Sequence, residues 1–126
     1  MIGLKVRTNQ EAFDEVVRHL STLKGQAIAA GEVFECVYLT EDGRRCAVGA
    51  LLAVDDDTAA QLSGDVWSLV EQVDVGDVDA YLLSGLQVAH DHRTHWHGDQ
   101  FRGYDYLREI AGCYKLDTSV LDEVSA

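Results

Sequence analysis

The sequence predicts an α+β domain, mostly helical, in which four to five helices pack on one small β-hairpin. Apolar residues recur at helical spacing in several separate windows. Residues 33–39 (VFECVYL) are instead rich in β-branched and aromatic types, and Asp42-Gly43 follows as a turn signal. The 126 residues contain no proline, repeat or linker-like tract that would divide them, so a single compact domain over 1–126 is expected. A chain this long buries roughly two-thirds of its unfolded surface and needs no disulfide or metal to fold.

Taken in order, Ile2–Val6 reads as a short strand or arm. Thr8-Asn9-Gln10-Glu11 is a capping box, and Phe13, Val16, Val17, Leu20 and Leu23 form the stripe of a helix ending near Gly25, with His19 half-buried at its edge. Residues 26–32 are ambiguous. The strand over 33–39 then turns at Glu41-Asp42-Gly43, with Gly43 in the left-handed position. If Thr40 and Arg44 close the loop, Cys46 sits opposite Tyr38, and Phe34 and Cys36 share that face. Cys46–Ala53 reads as a short buried helix. Asp55-Asp56-Asp57-Thr58 caps a helical turn that Ser63-Gly64 ends, and Asp65 caps a segment with Val66, Trp67, Val70 and Val73. Asp77 is expected to cap a longer helix lined by Leu82, Leu83, Leu86, Ala89 and His90. A last substantial helix, 100–114, buries Tyr104, Leu107, Ile110, Ala111 and Tyr114, with Cys113 in the core. A capped tail follows from Asp117. Both tryptophans are expected to be packing anchors.

Charge is the outlying property: 22 acids against 10 bases give a formal net charge of −12. Between Cys46 and His92 there is no Lys or Arg, while nine acids occur. That argues against direct phosphate-backbone binding, which needs clustered cations. The longest apolar run, Ala50–Val54, is far short of the roughly 20 residues of a membrane helix. With three cysteines and no apolar leader, a cytoplasmic protein with reduced thiols is expected. Acids at this density suit a basic partner, and several also stand where helices begin.

Two constellations carry potential chemistry. Cys36, Cys46, His90 and His92 supply the residue types of a tetrahedral zinc site. Against zinc, the cysteines are ten positions apart and the two histidines only two. In the other, Cys46 at a helix start acts as a thiol nucleophile, His90 as its base and Asp91 as the orienting acid. The apolar surroundings of Cys46 oppose this by disfavouring the thiolate. Without a site, His90 packs in the apolar stripe and His92, His95 and His97 are solvated.

Cys36-x-Tyr38, Gly43-Arg44-Arg45-Cys46-Ala47-Val48-Gly49-Ala50-Leu51, Leu86-Gln87-x-x-His90-Asp91 and Trp96 together resemble a group of small phage and prophage proteins. That group shares a C-x-Y, G-x-x-C-A-x-G-x-L and L-Q-x-x-H-D layout. The likeness implies phage or prophage origin and no catalytic assignment. His92, His95 and His97 fall outside the pattern, and Ala53-Val54-Asp55 departs from its usual Ile-Pro-Asp turn.

The expectation is therefore a non-enzymatic, phage-type accessory protein that binds and modulates a host or phage macromolecule. Its contact surface is Asp55, Asp56, Asp57, Asp65, Glu71, Asp74, Asp77 and Asp79. The expected partner is a basic or nucleic-acid-binding host protein, with no cofactor, no direct nucleic-acid contact and no membrane. The alternative is a metal-binding or thiol-dependent site centred on Cys36, Cys46 and His90.

Overall fold

A computed structural model describes residues 2–26, 28–29, 35–36, 38–40, 43–62 and 65–125, by backbone alone at 28, 29, 35, 36 and 125. Val33, Phe34 and Val37 of the predicted strand, Glu41-Asp42 of its turn and the Ser63-Gly64 helix end lie outside those residues. So does the side chain of Cys36. The architecture is α+β, and helices dominate it.

Helix α1 (Asn9–Thr22) is the central element. Thr8 Oγ1 accepts from the Glu11 amide at 3.1 Å while Glu11 Oε1 accepts from the Thr8 amide at 3.1 Å, the reciprocal capping the sequence predicts. Ala12, Phe13, Val16, Val17 and Leu20 are buried. They face α4 (Ala80–Asp91), α6 (Ser119–Ser125) and a short 3₁₀ turn at Gly49–Leu51.

The amino-terminal arm becomes β1 (Ile2–Gly3), parallel to β4 (Val73–Asp74). Its other edge bonds the chain after the 3₁₀ turn: Lys5 N donates to Leu51 O at 2.7 Å and Ala53 N to Gly3 O at 2.9 Å. Both sides of this two-residue strand are thus hydrogen-bonded, which explains how so short a strand persists. It also moves Val73 from the predicted helical segment into a strand.

The hairpin register is as predicted. Leu39 bridges Arg45, the Thr40 amide donates to Arg44 O at 2.9 Å and the Cys46 amide to Tyr38 O at 3.4 Å. Gly43 has φ +89, the conformation that its loop position demands. Further back, β3 (Glu35–Cys36) pairs antiparallel with β2 (Ile28–Ala29).

Helix α2 (Asp56–Gln61) is capped by Asp55 and α3 (Val66–Leu69) by Asp65, each side chain accepting one backbone N–H. Helix α4 begins later than predicted. Val78 is buried beneath a turn in which its amide donates to Val75 O, and Asp79, not Asp77, caps the helix by accepting from Tyr81 and Leu82. The Asp79 amide itself donates to Asn9 Oδ1 at 2.8 Å, fastening the start of α4 to the start of α1.

Helix α5 (Tyr104–Tyr114) is also shorter than predicted. Gln100–Phe101 forms β6 and folds back on β5 (Trp96–His97), with Gly98 at φ +63 in the two-residue turn. On α5, Leu107, Ile110 and Ala111 are buried, Tyr104 and Tyr114 half-buried, and Cys113 exposed rather than core. At 100° per residue Cys113 lies outside the arc that Leu107, Ile110, Ala111 and Tyr114 span, and so projects outward. One hydrophobic core draws on α1, residues 38–52, α3, α4, α5, α6, Val73 and Phe101, with Phe13, Leu20, Leu51, Leu82, Leu86, Leu107 and Leu121 among its fully buried side chains. Among the described residues, no helix is long and apolar enough to cross a membrane.

Candidate functional site

The residues that suggest chemistry converge where the hairpin meets the end of α4. Gly49 must be glycine here, because a Cβ would collide with the Tyr38 carbonyl oxygen and stand 3.2 Å from Cys46 Sγ. The Gly49 amide donates to that sulfur at 3.3 Å. From α4, Gln87 Oε1 accepts from the Val48 amide at 3.1 Å, and Gln87 Nε2 donates to Asp91 Oδ1 at 2.8 Å. The same carboxylate oxygen lies 2.7 Å from His90 Nδ1, so the imidazole carries its proton on that nitrogen and donates it. The His90 carbonyl accepts from Trp96 Nε1 at 2.7 Å and from Gln26 Nε2 at 3.1 Å, and the Asp91 carbonyl accepts from Gln26 Nε2 at 2.7 Å. Tyr38, Cys46, Gly49, Gln87, His90, Asp91 and Trp96 therefore form one knot that ties hairpin, helix and histidine loop together.

The electrostatics of this knot suit a buried latch. Cys46 is fully buried, and burial, with the nearby Asp91 carboxylate, pushes its thiol up to about 12 against the opposing bonds from the Gly49 amide, the Gln87 side chain and the Val48 amide. The thiol is neutral at pH 7 and shielded from solvent, the opposite of what nucleophilic attack requires. Burial likewise raises Tyr38 far above the ordinary phenol range. Asp91 does orient His90 as a catalytic acid would, but the thiol it would serve is not poised to react.

The predicted zinc ligands are not assembled among the described residues. Cys46 and His90 are buried, whereas His92 is exposed and stacks on His95 at 5.2 Å. No group of three or more His, Cys, Asp or Glu side chains suited to a metal occurs among the described residues. His95 is half-buried rather than solvated. Its Nδ1 donates to Ala89 O at 2.8 Å, and its ring lies 5.1 Å from Tyr106, over Gly103. His97 is exposed as expected.

The acidic residues lie on the outside, with different degrees of engagement. Asp55, Asp65 and Asp79 cap helices, Asp74 Oδ1 accepts from the Gly76 amide, and Asp56 pairs with Arg45 at 2.8 Å. Asp57, Glu71 and Asp77 are exposed, with no side-chain partner among the described residues.

Sequence reasoning missed an exposed aromatic pair. Trp67 is 43% exposed and Tyr81 71% exposed, and their rings meet edge to face at 4.8 Å. Val66 and Leu69 take the inner side of α3, which turns Trp67 outward; that phase was the available signal. No protein-family model matches the chain, and no curated protein or solved structure matches it.

Proposed function

We propose that the chain is a small phage-type accessory protein, non-enzymatic, that works in the host cytoplasm by binding a basic host protein and changing its activity. The observation supporting this reading is the run of acids on a stretch that carries no Lys or Arg. Across 47–91 there is no cation, and Asp57, Glu71 and Asp77 present carboxylates with no partner among the described residues. Such a surface attracts a cationic partner from a distance and repels nucleic acid and anionic membranes. The phage setting rests on the sequence pattern around Cys46 and His90, whose residues serve here to build the core.

Affinity capture from a bacterial lysate tests the reading. Wild type is compared with a variant carrying Asp57→Asn, Glu71→Gln and Asp77→Asn, which removes three charges without touching a helix cap. A protein retained by wild type, lost on the variant and eluted by moderate salt is the expected result. Retention of the same proteins by both chains sinks the reading.

A further inference from the structure

We infer that the Trp67–Tyr81 ring pair is the seat for an arginine or lysine side chain of the basic partner, with Asp65, Glu71 and Asp79, its neighbours along the chain, supplying the negative charge beside it. This rests on the reading of the acidic face given above and specifies where on it the energy of binding is concentrated. Among the described residues the exposed large apolar side chains are Trp67, Tyr81 and Val88, and all of them stand on α3 and α4. Tyr81 and Val88 are seven residues apart, hence on one face of α4 and about 10 Å from each other along its axis.

Apolar rings are costly to expose, and an edge-to-face pair held at 4.8 Å on two packed helices is already ordered before anything binds. Each ring follows a capping aspartate by two positions, Asp65 before Trp67 and Asp79 before Tyr81. Glu71 lies just beyond α3. The ring faces are electron-rich and these neighbours are anionic, so both terms favour a cation. A second copy of the chain is a poor occupant by the same logic. Two molecules of formal charge −12 would bring like charges together. A cationic segment of another protein satisfies the rings and the carboxylates at once, and Trp, Tyr and Arg are the residue types that dominate interface energetics.

The test uses the full chain and a fluorescein-labelled hexa-arginine peptide, with hexa-citrulline as the neutral counterpart, followed by anisotropy. Wild type is expected to bind hexa-arginine and not hexa-citrulline. Trp67→Ala and Tyr81→Ala are each expected to weaken binding roughly 3- to 30-fold, and Trp67→Phe to retain most of it. Both sites are exposed, and circular dichroism checks that each variant stays folded. Unchanged affinity in both alanine variants, alongside loss in the Asp57→Asn, Glu71→Gln, Asp77→Asn variant, overturns the ring seat and leaves the charge reading standing. Unchanged affinity in all of them overturns both. Equal binding of hexa-citrulline, or no saturable binding of hexa-arginine, overturns the cation's role. Sedimentation showing a dimer that Trp67→Ala dissolves assigns the rings to a second copy and also overturns the inference.

Discussion

At the residue scale, the positions that looked chemical are the ones that hold the molecule together. Gly49→Ala drives a methyl group into the Tyr38 carbonyl at a site with no slack, and should lower unfolding free energy by about 3 kcal/mol in urea titration. A loss under a few tenths would mean that the hairpin is not packed against this turn. Thiol accessibility makes a second prediction: mass-mapped labelling of native protein should modify the exposed Cys113 and leave Cys46 untouched until unfolding. Rapid labelling of Cys46 would restore the nucleophile reading.

His19 gives a pH signature. Burial holds its imidazole below the usual 6.5, against the opposing bond from its Nε2 to the Arg45 carbonyl at 2.6 Å. The unfolded chain therefore takes up a proton, as pH falls below 6.5, that the native chain resists. The stabilisation is complete above 6.5 and is lost as pH falls through the depressed native value. Thermal melts should show the midpoint falling between neutral pH and pH 5, and His19→Gln should flatten that fall; parallel profiles would contradict it. From sequence, His19 was recognisable as a half-buried flank residue. Its carbonyl partner was not, because Arg45 is 26 positions away and the hairpin has to fold before the two meet.

At the element scale, what was legible in the sequence is local chemistry. The Thr8–Glu11 capping box, the caps at Asp55 and Asp65 and the 38–46 register are all written in residues within a few positions of one another. The departures arise where distant contacts decide. Asp77 and Asp79 are equally good caps by type. Burial of Val78 and the bond from the Asp79 amide to Asn9 select the second. Asp79→Ala should therefore cost about 1 kcal/mol or somewhat more, while Asp77→Ala should cost almost nothing. Equal losses from the two would mean that α4 starts earlier. The β5–β6 hairpin was masked by its histidines, whose density suggests ligation. Gly98-Asp99 is nonetheless a turn pair, and Trp96 and Phe101 on either side meet at 5.4 Å.

At the scale of the whole molecule, polarity is partitioned. Inside, Cys46 accepts from the Gly49 amide, Gln87 links the Val48 amide to Asp91, and His90 bonds Asp91, so the knot offers little to a ligand. The unspent interaction capacity is outside, in carboxylates without partners among the described residues and in two rings that share an edge in solvent. Charge asymmetry was plain in the sequence. The aromatic seat depends on helix phase across α3 and α4 and needed the packed structure.

In the function we propose, the acidic outer residues, and not the knot, do the molecule's work. The most direct test is the salt dependence of affinity for the captured partner, titrated with wild type and with the Asp57→Asn, Glu71→Gln, Asp77→Asn variant from roughly 0.05 to 0.3 M salt. Affinity for wild type should fall steeply as salt rises, and the variant should bind more weakly with a visibly shallower slope. Equal affinities and equal slopes for the two chains would contradict that function.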